Sequence, residues 1–340
     1  MVVVARLIIA LSWWQLLVVA SVATDAAPAD NGAMKGVVHE GEEFRMNTWH
    51  LMYNWFMGGS MEAEEPPLPQ PILVIGAGLP RTGTASFRTA MGLLNMKSYH
   101  MVDGYIETPG HQDMWYKLLV EQSISIDDVL DGIAADGFNA TIDTPIVFHY
   151  KEQMQRYPNA KVVLTVRDSP EQWAASFAKT IRRMVLASRQ VPFTLIGPMA
   201  RSTQTGRRLF EDANLDIEDP SLLPQFYKDF VAEVKATVPS DKLLVFNAKD
   251  GWEPLCKCVS PLAESIKTKC QNLLAMGTPY PHVNDEAQIL AVVVGVETIT
   301  IIFKAMPFLL VFGVCVLYYV RQTAQTRPDS SNNPGKTKKE

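Results

Sequence analysis

The decapeptide GLPRTGTASF (residues 78–87) follows the apolar run PILVIGA and contains two glycines, two threonines and one arginine. A glycine-rich turn between a strand and a helix aims backbone N–H groups at the oxygens of a bound anion. Nucleotide hydrolases use the form G-x-x-x-x-G-K-[ST], with lysine after the second glycine. Gly78 and Gly83 keep that spacing, but Thr84 stands at the lysine position and the cation is Arg81. The dinucleotide form G-x-G-x-x-G fails too, because Arg81 stands where its third glycine belongs. The loop therefore reads as a cradle for an anionic group, built from backbone amides and a displaced guanidinium. A purely structural turn capped by Thr84 is the competing reading.

A second cation lies in KVVLTVRDSPEQWAASF (residues 161–177), where Arg167 ends a strand-like run. Ser169-Pro170 follows as a helix-start signal, and Ser176 lies further along that helix. In order, Pro80, Arg81, Thr82, Gly83 and Thr84 match P-[KR]-[ST]-G-T. That order resembles the 5′-phosphosulfate loop of sulfotransferases, which use 3′-phosphoadenosine-5′-phosphosulfate (PAPS). With YPNAKVVLTVRD, LLVFNAKDGWEPLC and YPHVND, the chain over about residues 70–285 is identified as a member of a broad sulfotransferase-like P-loop family of eukaryotic microbes. The resemblance implies that Arg81, Thr82, Gly83, Thr84, Ala85 and Ser86 line the donor, while Arg167 and Ser176 take its 3′-phosphate. It also places Lys249 and Gly251 in a basic turn near that phosphate, although Lys249 at a helix start reads equally well as solvated. Ser176 lies one residue beyond the family's usual spacing from the arginine. Ser86 stands where a base-stacking tryptophan often sits, which leaves Phe87 as the ring on offer. The segment between Cys258 and Tyr280 departs from the family pattern.

Sulfuryl transfer needs in-line positioning, cations on the developing charge and a base for the acceptor. Arg81 would meet charge building on the leaving phosphate, helped by the dipole of a helix beginning near Thr84. Two residues compete as the base. In ATIDTPIVF, Asp143 stands two before Pro145, where cytosolic sulfotransferases carry histidine. His100, in SYHMVD, follows the first helix, where Golgi-type enzymes carry a catalytic glutamate, and histidines titrate near about 6.5. Each has a bland alternative: Asp143 as a helix cap or ion-pair partner, His100 as a structural side chain. Asp103 and Glu107 stand outside the expected set. The doublets Arg182-Arg183 and Arg207-Arg208 read as solvated helix faces, or else as contacts to an anionic acceptor. No metal site is expected, since Cys256, Cys258 and Cys270 have no fourth ligand at suitable spacing. They allow one disulfide at most. A kinase- or NTPase-like enzyme and a non-catalytic nucleotide-binding module remain as alternatives.

These side chains need elements to hold them. From residue 70 strand-like and helix-like runs alternate, the pattern of a parallel sheet covered on both faces. The expected fold is α/β, a P-loop three-layer α/β/α arrangement. Strands are expected in ILVIGAG, SYHMV, FNATID, AKVVLTVR and KLLVFNA, with a long helical region over residues 170–238. Residues 1–23 read as a secretory signal peptide and 24–69 as a linker and lead segment. Residues 299–320 are long and apolar enough to cross a bilayer, which takes about 20 residues. Basic residues then mark 321–340 as a cytosolic tail, whose KTKKE ending resembles a K-x-K-x-x retrieval signal. Type I membrane topology is expected, with the domain in the endoplasmic reticulum–Golgi lumen. The acceptor is an unspecified small molecule, glycan or peptide carrying a hydroxyl or amine. A net charge of -5 gives no overall footprint for nucleic acid.

Overall fold

The computed structural model describes residues 71–108, 110–283 and 286–325. The signal peptide, the lead segment and the retrieval signal lie outside the described residues. Five parallel strands form the sheet: β1 (Val74–Gly76), β2 (Ser98–Tyr99), β3 (Ala140–Thr141), β4 (Lys161–Thr165) and β5 (Leu243–Phe246), in the order β2-β3-β1-β4-β5. All four pairings are parallel, with Val74 registered on both Ala140 and Lys161.

Alternation along the strands feeds two separate cores, because successive strand side chains point to opposite faces. Ile75, Val162 and Leu164 face one way, against α2 (His111–Tyr116), α3 (Ile126–Ala135), α4 (Tyr150–Arg156), α5 (Pro170–Phe177), α7 (Gly197–Asp212) and α8 (Leu223–Thr237). Trp115, Trp173 and Phe177 fill that layer with no exposed surface. Val74 and Val163 face the other way, against α1 (Thr84–Leu93), α9 (Trp252–Val259) and α10 (Glu264–Ala275). A short helix, α6 (Arg183–Ser188), continues the chain beyond α5. The three-layer α/β/α arrangement is thus observed. A disulfide between Cys256 and Cys270 staples α9 to α10, leaving Cys258 free and half-buried.

The strands are shorter than their apolar runs, for local reasons. SYHMV leaves the ladder after Tyr99 because the Asp103 carboxylate takes the His100 N–H. FNATID stops after Thr141, since Asp143 adopts φ 72 and Pro145 has no N–H to donate. Ser169 caps α5, accepting from the Gln172 N–H at 3.1 Å, as the Ser-Pro signal implied.

The last helix, α11 (Glu286–Gln325), is a single run of 40 residues that passes through Pro307 without a break. It is long and apolar enough to be a candidate membrane span, with a mean hydropathy of 2.3 in its most apolar window. It begins well before the expected residues 299–320.

Candidate functional site

The loop at the carboxyl end of β1 is shaped by close approach. A Cβ on Gly78 would come within 1.7 Å of Thr165 Oγ1, so only glycine lets the loop pass the end of β4. Thr82 then locks it: its hydroxyl lies 2.7 Å from the Leu79 carbonyl and 2.6 Å from Thr165 Oγ1. Arg81 (φ 73) and Gly83 (φ 93) both occupy the left-handed region. For Arg81 that conformation costs about 1–2 kcal/mol, and neighbouring contacts hold it in place. Trp173 Nε1 donates to the Pro80 carbonyl at 2.8 Å, and Arg167 Nε to the Arg81 carbonyl at 2.7 Å. Gly83 is the N-cap of α1 and offers no capping side chain. The first-turn amides of α1, on Thr84, Ala85 and Ser86, lack intrahelical partners by geometry, an arrangement able to accept an anion.

Ser176 is the meeting point of the two arginines. Arg81 Nε and an Arg167 terminal nitrogen each donate to its hydroxyl, both at 3.2 Å. The added residue between Arg167 and Ser176 therefore does not separate them. Arg167 is further fixed by its own N–H, which donates to Tyr227 Oη at 2.8 Å. Two guanidiniums on one hydroxyl make a concentrated positive patch at the mouth of the loop. Glu286, at the head of α11, lies close enough to feel it. A hydrogen bond from Lys179 holds the Glu286 carboxyl below the usual range, with further help from Arg81 and Arg167.

His100 and Asp143, rivals in the sequence, form one unit. His100 Nε2 lies 2.8 Å from Asp143 Oδ2, and both side chains are buried. The Thr84 hydroxyl donates to the same carboxylate oxygen at 3.0 Å and lies 3.2 Å from His100 Nε2. The Thr144 N–H donates to the other oxygen at 2.6 Å. Burial alone would raise the Asp143 carboxyl, but His100 and these hydrogen bonds outweigh it and hold the group below the usual carboxylate range. The pair thus joins the ends of β2 and β3 to the first residue of α1.

Asp103 and Glu107 turn out to support this unit. Asp103 fixes the His100 backbone at 2.9 Å, while Arg88 bridges Asp103 at 3.0 Å and Glu107 at 2.7 Å. No spacing signal marked them. Trp173, Tyr227, Thr165 and Glu286 were also missed, since each reaches the site only through the folded sheet.

Other expected residues face elsewhere. Lys249 is exposed and bonded to Asp168, the residue after Arg167, so it stands beside the patch with its charge engaged. Ser86 accepts from the Val283 N–H at 2.9 Å. Phe87 has no exposed surface and packs into the core behind α1, so it presents no ring for stacking. Arg183 grips Glu297 of α11 with two bonds, and Arg182 donates to the carbonyls of Ile217 and Glu218. Arg207 and Arg208 pair with Glu211 and Asp212 along their own helix. Among the described residues no cluster of three or more His, Cys, Asp or Glu is placed to hold a metal ion.

This chain is similar to the Ava biosynthesis cluster protein M of Aspergillus versicolor, 28% identical over 196 residues, which cover 54% of this chain and 74% of the relative. A model of the sulfotransferase domain matches residues 73–289, the stretch that holds the loop, both arginines and the His100–Asp143 pair. That match takes in more than half of the molecule, and the chain belongs to the sulfotransferase domain family.

Proposed function

We propose that this protein is a PAPS-dependent sulfotransferase acting on a hydroxyl or amine acceptor, tethered by α11 with its domain in the secretory lumen. The observation that carries the reading is the convergence of Arg81 and Arg167 on Ser176 beside the α1 amides. Two like charges held that close favour a ligand with more than one anionic group, since each charge-assisted bond is stronger than a neutral one. A 5′-phosphosulfate at the cradle and a 3′-phosphate at Arg167 and Ser176 fit this donor set. PAPS supplies an activated sulfuryl group. Arg81 meets the charge left on the phosphate side, and the His100–Asp143 pair takes the proton that the acceptor loses. The Cys256–Cys270 disulfide is in keeping with an oxidising compartment.

A magnesium-nucleotide enzyme is the second reading, favoured by the Thr84–Asp143 bond, which joins a loop hydroxyl to a carboxylate. It is weakened by Thr84 at the lysine position and by Ala85, a methyl group, where a magnesium-binding hydroxyl belongs.

Calorimetric titration of the full-length protein with 3′,5′-bisphosphoadenosine, AMP and ATP–magnesium separates the two. The bisphosphate is expected to bind tightest. Arg167→Ala should cost roughly ten- to hundredfold of its preference over AMP, the equivalent of about 1.5–3 kcal/mol for a bond to a charged group. Tighter binding of ATP–magnesium would overturn the assignment.

A further inference from the structure

We infer that the domain lies directly on the bilayer, with the turn over residues 192–196 seated in the lipid headgroup layer beside the entry point of α11. The inference rests on the reading of α11 as a membrane span.

The helix divides into two halves by what surrounds it. Up to Met306 it packs along the domain, with Val293 and Thr300 buried and ion pairs from Lys179 to Glu286 and from Arg183 to Glu297. Lys304 Nζ ties this half to Gln190 Oε1 at 3.0 Å. From Pro307 onward the domain no longer covers it, and Phe308 (77%), Phe312 (68%) and Leu317 (71%) are exposed. At a rise of 1.5 Å per residue, the uncovered apolar stretch from Pro307 to Val320, which stops short of Arg321, measures about 21 Å. A hydrocarbon core is about 30 Å thick, so this stretch is used up inside it and the residues just before Pro307 must enter as well. No length is left for a stalk.

The part of the domain tied to Lys304 therefore lies at the edge of the hydrocarbon. There the chain presents a run suited to an interface. From Gln190 to Ala200 it carries no charged residue. The Phe193 N–H donates to the Gln190 carbonyl at 3.1 Å and the Leu195 N–H to the Pro192 carbonyl at 2.9 Å, folding the turn back beside Lys304. Phe193 is buried as its anchor, while Leu195 is 70% and Ile196 41% exposed. Two aliphatic side chains on a hydrogen-bonded, uncharged turn at this height match the apolar boundary of a bilayer. Met276, comparably exposed, lies after α10 in the opposite helical layer and has no such neighbour.

Depth-resolved fluorescence quenching tests the placement in the full-length protein, reconstituted in phosphatidylcholine bilayers. In a Cys258→Ser/Cys315→Ser background that keeps the disulfide, a nitrobenzoxadiazole probe is attached at Leu195→Cys, Met276→Cys or Phe312→Cys. Spin-labelled lipids should quench the probe at 195 most strongly from a shallow label and the probe at 312 from a deep one, leaving 276 unaffected. Quenching at 312 without quenching at 195 overturns the docked turn while the span stands. Equal quenching at 195 and 276 overturns it as nonspecific contact. No quenching at 312 removes the span, and the docking inference with it.

Discussion

His100 and Asp143 show what a side-chain pair does that neither member does alone. Asp143 stays ionised because its neighbours outweigh its burial, so it orients the imidazole and complements charge on it. His100→Asn should lower turnover by about 10²–10⁴-fold, the usual contribution of a proton-transfer group, with bisphosphate binding unchanged. Steady-state kinetics beside calorimetry checks this; a matching loss of binding would make His100 a scaffold residue instead. A second histidine links stability to pH. Burial holds the His111 imidazole below its usual range, outweighing the Asp136 carboxylate bonded to its Nε2. The folded chain therefore takes up this proton at lower pH than the unfolded chain does. Stability from this group is complete above the unfolded value of about 6.5 and falls as the pH drops towards the folded one. Thermal unfolding from pH 7 to 5 should show that decline, and His111→Gln should flatten it; His149, also held low by burial, leaves a residual slope of the same sign. At this scale a motif that constrains type and order singled out Arg81, Arg167 and Ser176, and the fold brings them into contact. The sequence was silent where contact comes from non-neighbouring elements, as for Tyr227 and Trp173. Lys249 is intermediate: its position was read, but not the Asp168 that engages it.

Elements were legible by their periodicity, and their ends were not. The alternation of Val74 with Ile75, and of Val162 with Val163, follows from the apolar runs and sorts each side chain into its layer. Yet β2 and β3 end two or three residues early, because a carboxylate caps one ladder and a left-handed aspartate bends the other. The α9–α10 pair was the least readable part, since its segment departs from the family pattern. Its packing rests on Trp252, Leu255, Ile266 and Leu273 around the disulfide. The bridge closes a loop with a sequence separation of 14. Chain-entropy arguments assign about 3 kcal/mol to such a loop. Cys270→Ser should therefore lower the unfolding free energy by about 2–3 kcal/mol in a denaturant titration, with ligand binding retained, because these helices lie behind α1. An unchanged midpoint would mean that the thiols are unpaired in the native protein.

At the scale of the whole molecule, the proposed topology makes a direct prediction. Protease added to sealed microsomes should remove the tail after α11 and leave the domain intact until detergent is added. Digestion of the domain without detergent would reverse the orientation and remove the oxidising setting inferred for the disulfide. An apolar run over residues 299–320 was visible in the sequence, whereas the change at Pro307 was not, because only packing shows where the domain stops covering the helix. That junction has a kinetic consequence. The same helix begins beside the arginine pair and runs on with no break, so on the proposed topology the site would not tumble independently of the membrane. A transferase anchored in this way would search for its acceptor in two dimensions, within a layer about as thick as the domain. Encounter rates would then follow the number of acceptors per unit of membrane area, and soluble acceptors would be disadvantaged whatever their chemistry.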